Sequence, residues 1–355
     1  MSTVKILAIE SSCDETAIAI LGSDGTRFEL LANEISSQVK LHAQFGGVVP
    51  NLAAREHVKN IAPLFEAALK KAGISKDDIT AIAVTNGPGL IPALLVGVNF
   101  AKTLSYLWEK PLIGIHHIEG HIYANFIENS NIEFPALCLV VSGGHTQLVY
   151  MQDHFQYEII GQTLDDAAGE AFDKVARILN VGYPGGPIVS ARADNFQQNQ
   201  TGYGIKLPRP MMNKAGFDFS FSGLKTAVLY ETKKNSEHIQ DENYINEVCH
   251  EFQQAVIDVL MNKTIKASKK LQPKTIMLAG GVSANKELRD QLGKAINNEL
   301  PDTKYGIPQL CLTGDNAAMI AVAAALRWEK LTIDQQDAAK ENWKTIQAQA
   351  NLKLS

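Results

Sequence analysis

With 355 residues the chain is long enough for two hydrophobic cores, since a single core stops growing near about 250–300 residues. Its composition, 45% hydrophobic and 20% charged, is that of a globular enzyme, and a net charge of −5 excludes a global basic signature for nucleic acid while leaving room for a local basic face. The four cysteines (Cys13, Cys138, Cys249, Cys311) are scattered with no C-x-x-C pair, which fits reduced thiols in a cytoplasm and not a disulfide framework. The start MSTVKILAIESSCDE lacks the charged lead and long apolar run of a signal peptide. The most apolar stretches, such as Ala317–Leu326, fall short of the ~18 residues of a membrane span, so no membrane association is expected.

Lys5–Glu10 (KILAIE) and Thr16–Leu21 (TAIAIL) are apolar runs joined by Ser11-Ser12-Cys13-Asp14, which reads as a β-hairpin. Its turn carries small hydroxyls and acids. It is either a plain polar turn or one that offers backbone N–H groups to phosphate and carboxylates to a metal-bound phosphate. Pro50–Gly73 has helical periodicity, with Pro50 suited to the start and Gly73 to the end. Ile79–Thr85 is a buried-strand pattern. The turn Asn86-Gly87-Pro88-Gly89 then opens the long helical stretch Pro92–Trp108, a generic anion-cradle layout with neither a Walker lysine nor G-x-G-x-x-G.

Leu112–Ile115 is a short strand that runs into IHHIEGHIYA. His117 and His121 stand four apart, so on a helix their rings lie on one face and could converge on one cation. The order is not H-E-x-x-H: Glu119 follows His117 by two positions and projects about 200° around the helix from it, away from that face. The plain alternative is a solvated helix start with ordinary histidines.

Pro135–Met151 repeats the grammar of the N-terminus, apolar strand, small polar turn (Ser142-Gly143-Gly144-His145-Thr146), apolar strand, and suggests an internal duplication. Its glycines would let a ligand approach the backbone closely. Gly169–Leu179 reads as a helix and Gly182–Pro187 as a tight loop stiffened by Pro184 and Pro187. Tyr203–Lys234 interleaves lysines with Phe217, Phe219 and Phe221, which suits either a nucleic-acid surface or a solvated loop with half-buried rings. Lysines at the end of the helix Asn243–Lys270 suit its dipole. Thr275–Asn285 is strand, Gly-Gly, then a helix start at Ser283/Asn285, a layout that can place a purine or ribose beside glycine backbone. Asp315 precedes the apolar helix Ala317–Trp328, where it either caps the helix or holds a metal. Beyond Thr332 the tail is polar. No side chain stands out as a general base; Glu10 and Asp14 are the candidates.

Ten segments together resemble one family: ILAIESSCDETA, HAQFGGVVPNLAAREH, NGPGLIPALLVG, HHIEGHIYA, VSGGHTQLV, GEAFDKVA, YPGGP, FDFSFSGLKTA, LAGGVSANKELR and TGDNAAMIA. They look like the bacterial branch of the TsaD-type tRNA N6-adenosine threonylcarbamoyltransferases, once labelled O-sialoglycoprotein endopeptidases, from about Lys5 to Ala325. The resemblance implies an α/β fold of the actin-like ATPase (sugar kinase/Hsp70) superfamily, two duplicated lobes with the active site in a cleft. The expected division is 1–115 for the first lobe, completed by about 316–330, 116–315 for the second lobe with the metal and nucleotide-substrate site, and 331–355 as a peripheral tail. By resemblance, His117, His121 and Asp315 bind one ion, Fe2+ or Zn2+. Val140, Val141, Ser142, Gly143, Gly144, Asp173, Gly186 and Asn285 bind the nucleotide-linked substrate. The implied reaction moves a threonylcarbamoyl group from threonylcarbamoyl-AMP to adenosine 37 of tRNAs reading codons that begin with A. The implied partners are tRNA, a TsaB-like paralogous subunit, for which Pro50–Gly73 and Pro92–Trp108 offer helical faces, and a TsaE-like ATPase. A metalloprotease lacks its H-E-x-x-H order here, an actin-like scaffold has no need of a metal triad, and a sugar kinase would want a second-lobe catalytic Asp that has no clear place.

Overall fold

The KILAIE and TAIAIL runs pair as expected, and around them the computed structural model describes residues 3–25, 27–129, 132–196 and 202–354. Met1 and Ser2, at the start of the stretch read for a leader, lie outside the described residues. In chain order the elements are β1 (Val4–Glu10), β2 (Glu15–Ser23), β3 (Phe28–Ser37), α1 (Val39–Ala43), α2 (Pro50–Ala72), β4 (Ala81–Gly87), α3 (Ile91–Trp108), β5 (Leu112–His116) and α4 (His117–Tyr123). There follow β6 (Ala136–Val141), β7 (Thr146–Asp153), β8 (Gln156–Gln162), α5 (Ala168–Ile178), α6 (Gly185–Asp194), α7 (Ser222–Lys234) and α8 (Glu242–Leu271). The chain closes with β9 (Thr275–Ala279), α9 (Lys286–Glu299), β10 (Lys304–Gly306), α10 (Ala317–Lys330) and α11 (Ile333–Ala338).

The first unit comprises Met1–Asn131 and Pro308–Ser355. Its five-stranded sheet has the order β3-β2-β1-β4-β5; β1 pairs antiparallel with β2 and parallel with β4. Ile6–Glu10 and Thr16–Ser23 are buried throughout, which is why they read as continuous apolar runs: a strand covered on both faces has no polar side to alternate. Helices α2 and α3 cover one part of this core with Ile61, Ala68, Val98 and Ala101. Pro50 starts α2 and Gly73 ends it in the left-handed conformation, so the punctuation read from sequence is the punctuation used. Helix α10, buried from Ala317 to Ala325, packs on β1, β2 and α4.

The second unit, Ile132–Ile307, carries a five-stranded sheet of order β10-β9-β6-β7-β8. With β6, β7, β8, β9 and β10 matched to β1, β2, β3, β4 and β5, the two orders are the same, including two antiparallel pairs followed by two parallel ones. The duplication suggested by the two hairpins therefore extends to the whole sheet. Helices α5 and α8 fill its core with Phe172, Val175, Val248, Phe252 and Val256.

Four expectations change. The division at residue 115 moves, because α4 follows β5 without a break and packs on α10; the first unit runs to Asn131 and resumes at Pro308. His117, His121 and Asp315 thus belong to the first unit, not to a lobe spanning 116–315. The tail 331–355 is not peripheral: Trp343, Ile346 and Ala348 pack on the first unit's core. Finally, Phe219 and Phe221 are fully buried and stacked at 6.3 Å, so those rings serve packing and not a base-stacking surface. The loop read over Gly182–Pro187 is shorter than expected, since α6 begins at Gly185.

Candidate functional site

The chain turns from β5 into α4 at His116, which sits at the N-cap and accepts a hydrogen bond at Nδ1 from the Ile118 amide at 3.1 Å. That places His117 and His121 one turn apart with ring centroids 4.7 Å from each other. Asp315 comes from the turn before α10. Asn316, not Asp315, caps that helix, accepting from the Met319 amide at 3.1 Å, so capping α10 is not the role of the Asp315 carboxylate.

The two Nε2 atoms lie 3.5 Å (His117) and 3.2 Å (His121) from Asp315 Oδ1, and one ligand atom from each residue lies within 4.8 Å of the others. Two ligands about 2.1 Å from a tetrahedral ion stand about 3.4 Å apart, so these separations fit one shared cation. His121 supplies an independent sign: it is 1% exposed, yet neither ring nitrogen makes a well-formed hydrogen bond among the described residues. A buried imidazole without well-formed hydrogen bonds is costly unless something else binds it.

Behind His117, its Nδ1 faces Ser12 Oγ at 3.1 Å and Glu10 Oε2 at 3.3 Å. Glu10 is fully buried; it accepts from the Ser12 amide at 2.6 Å and from the Thr85 hydroxyl. A carboxylate behind a histidine fixes the ring and its tautomer so that the other nitrogen points at the metal. This is the geometry of a positioning group, and it explains Glu10 at the end of β1 better than a free base would. Asp14, the other candidate, is 8% exposed and shares a hydrogen bond with Glu15.

The electrostatics point the same way. Burial opposes charge on His117, but Asp315 and Glu10 outweigh it and lift the ring to about 9. Burial raises Glu10, but the His117 charge and hydrogen bond, helped by Ser12, hold it below the ordinary carboxylate value. Burial, then Asp315 and Asp14, push Glu15 up to about 9. The Cys13 thiol is pushed far up by burial and by Asp14 and Asp315, which makes it inert as a nucleophile. Carboxylates thus crowd a mostly buried place, and a divalent cation there would relieve that crowding.

Two features hold α4 against α10. Glu119, turned away from the triad as its spacing requires, makes a two-pronged ion pair with Arg327 at 2.7 and 2.6 Å. A Cβ on Gly120 would lie 2.7 Å from Ile320 Cδ1 and 3.1 Å from Met319 Cγ, so glycine lets α4 approach α10 without displacing those side chains.

The second unit holds a separate pocket of about 480 Å3 whose walls include Gly143, Phe172, Asp173, Gly186, Asp194 and Asn285. The β6–β7 turn is closed by Ser142, whose amide donates to His145 O at 2.8 Å and whose Oγ accepts from His145 N at 3.1 Å. Beyond it a Cβ at Gly143, Gly144 or Gly186 would meet nothing within 4 Å, which leaves backbone open to a ligand. Val140 and Val141 turn their side chains into the core, so only their backbone can serve a substrate. Asp173 accepts the Gly185 amide at 2.7 Å and thereby sets the start of α6. Asn285 caps α9 through the Leu288 amide at 2.9 Å and donates to Gln253 at 2.7 Å. Phe172, Asp194 and Lys286 also line this pocket and were not legible beforehand; Asp194 lies on α6, a helix the glycine-proline pattern hides.

Two units with the same five-strand order define an actin-like α/β fold, one unit bearing a His-His-Asp cluster that could hold a metal ion and the other a glycine-walled pocket. The same fold occurs in HypF of T. kodakarensis (TM-score 0.59, 12% identity, covering 94% of this chain and 49% of that chain). It occurs also in component A of (R)-2-hydroxyglutaryl-CoA dehydratase from Acidaminococcus fermentans (TM-score 0.53, 15% identity, 92% and 98%). The chain belongs to the TsaD family, tRNA N6-adenosine threonylcarbamoyltransferase, whose model matches residues 29–322. Curated relatives of that name include those of Bacillus subtilis, 50% identical over 325 residues (92% of this chain, 91% of the relative), and Listeria monocytogenes serotype 4b, 49% identical over 321 residues (90% of each).

Proposed function

We propose that this chain forms N6-threonylcarbamoyladenosine in tRNA, moving the threonylcarbamoyl group from threonylcarbamoyl-AMP to adenosine 37 of tRNAs that read codons beginning with A. The observation that carries the reading is the convergence of His117, His121 and Asp315, with His121 buried and its nitrogens without hydrogen bonds among the described residues, in a chain of this family. The donor set of two imidazoles and one carboxylate suits Zn2+ or Fe2+ and leaves coordination positions open. When bound, the ion would supply Lewis acidity toward an oxygen on which negative charge develops.

The chain's own residues do the rest. Glu10 and Ser12 hold the His117 ring with Nε2 outward. The open backbone at Gly143 and Gly144 takes the phosphate, and Asp173, at the pocket wall where it also holds the Gly185 amide that starts α6, accepts a ribose hydroxyl. In the transfer, N6 of adenosine attacks the carbamoyl carbon, the bond from that carbon to the phosphate oxygen breaks, the amine proton is lost and AMP leaves.

A metalloprotease is disfavoured by Glu119, the one carboxylate between the histidines, because its ion pair with Arg327 removes it from any role in activating water. The exposed Val58 and Leu95, flanking a groove lined also by Ile61, Val96 and Phe100 on α2 and α3, support docking of a helical TsaB-like subunit. A TsaE-like ATPase completes the set, and four free cysteines fit a cytoplasmic setting. No helix among the described residues is long and apolar enough to cross a membrane.

The test combines the chain, its partner subunits, threonylcarbamoyl-AMP and an unmodified tRNA, with nucleosides analysed by mass spectrometry. Threonylcarbamoyladenosine should accumulate with time. Its absence with folded, metal-loaded chain and active partners would overturn the reading.

A further inference from the structure

The segment after α11 runs along the first unit as a strap. Asn342 Nδ2 donates to Leu112 O at 2.8 Å, and Trp343 packs edge-on against Tyr106 at 4.9 Å. Lys102 Nζ donates to Ile346 O at 3.2 Å. The Gln349 amide donates to Asn86 O at 2.8 Å and the Gly89 amide to Ala350 O at 3.3 Å. A Cβ on Gly87 would collide with the carbonyl oxygen of Gln349 and lie 2.9 Å from Leu352 Cβ, so the strap lies directly on that backbone. The family model's match ends at residue 322, so this whole segment lies beyond it.

The strap ends at the metal helix. His116 is 8% exposed, and its Nε2 lies 3.0 Å from Leu352 O while its Nδ1 accepts the Ile118 amide. The neutral ring with its proton on Nε2 satisfies both contacts at once. His116 therefore links the strap to the first turn of α4, one residue before a ligand. A second link runs through the loop under the strap: the Leu90 amide donates to Ser12 O at 2.8 Å, and Ser12 Oγ faces His117 Nδ1.

We propose that the C-terminal strap positions the metal ligands, with His116 as the positioning residue through which Leu352 holds the first turn of α4. Ion binding fixes the rotation of α4, and a tether that fixes it beforehand removes that ordering cost from binding. The proposal rests on reading the triad as a metal site, and its test separates the two.

Three variants serve: a chain truncated after Gln347, His116→Asn, and both together. Asparagine still caps a helix but is too short to reach Leu352, and it leaves the strap's contacts with Trp343 and Ile346 in place. Zinc affinity is measured by competition with a chromophoric chelator, and exchange of the amides of α4 by mass spectrometry. Each single variant should lose about tenfold in zinc affinity, at the low end of the effect of removing an outer partner. The double variant should lose no more than the truncation alone, because the link that His116→Asn cuts is one the truncation has already removed. Amides of α4 should exchange faster in all three without zinc. Wild-type affinity in both singles, or losses that multiply in the double, would overturn the strap's role. If the wild-type chain itself binds no zinc, the metal reading fails and the exchange data alone decide: unchanged protection of α4 overturns the tether, faster exchange upholds it.

Discussion

Raising the pH should strengthen metal binding by displacing a proton from His117. In the metal-free chain Asp315 and Glu10 lift that ring to about 9 despite its burial, so near neutral pH it carries a proton on the nitrogen that faces Asp315. An ion at Nε2 must displace it. At pH 7 the gap of about two units corresponds to about 2.7 kcal/mol, or about 100-fold in affinity relative to the deprotonated site. The zinc dissociation constant should therefore fall about tenfold per pH unit from about pH 6.5 until it levels near 9. Glu15 adds to this slope, since it is held near 9 partly by Asp315 and Asp14 and a cation there favours its charged form. Calorimetry in buffers of different ionisation enthalpy counts the protons released: more than one for the wild type at neutral pH, closer to one for Glu15→Gln. The linked stability has a definite sign. His117's raised value contributes stability to the metal-free chain that is fully present below about 6.5 and lost as the pH rises through about 9. Metal-free Tm should thus fall over that window while metal-loaded Tm holds. Zinc binding that releases no protons and is flat with pH would refute the reasoning.

Three further outcomes are expected. His121→Ala should weaken zinc binding by more than about 100-fold, since even outer partners are worth about 10–100-fold, with the chain still folded by circular dichroism. Glu10→Gln keeps the shape but not the charge behind His117, and should cost about 10–100-fold in zinc affinity by chelator competition, in line with other carboxylate–histidine pairs. Glu119→Ala leaves Arg327 without its fork; because the Arg327 side chain is 36% exposed and water screens part of the loss, denaturant unfolding should show about 2–4 kcal/mol of destabilisation, under the full cost of breaking a buried pair.

The sequence was most legible where burial is complete. Strands such as β1, β2 and β6 lie under cover on both faces and announce themselves as unbroken apolar runs, and α2 is framed by Pro50 and Gly73. The edge strands gave no such signal. In β3 only Ala32 is buried, and β8 buries only Gly161, so neither needs a pattern that sets it apart from a loop. The short β10 has three residues, too few for any periodicity. The triad was half legible: the spacing of His117 and His121 sets their common face, whereas Asp315 reaches them only through the packing of α10 on α4, which the family resemblance supplied and local pattern did not. Glu10, Ser12, Thr85 and His116 come from several elements brought together by the sheet, so their support of His117 and its helix leaves no mark in spacing. The tail misled because Trp343 and Ile346 do their packing from a mostly polar stretch.

The most direct measurement is a metal titration of transfer activity. The chain is stripped by chelator, dialysed and titrated with zinc or ferrous iron in the presence of partner subunits, donor and tRNA. The expected result is activity that is absent in the stripped protein, returns with added ion and saturates at one ion per chain, and that Asp315→Ala fails to regain. Full transfer by a chain whose metal has been removed would contradict the role given to His117, His121 and Asp315.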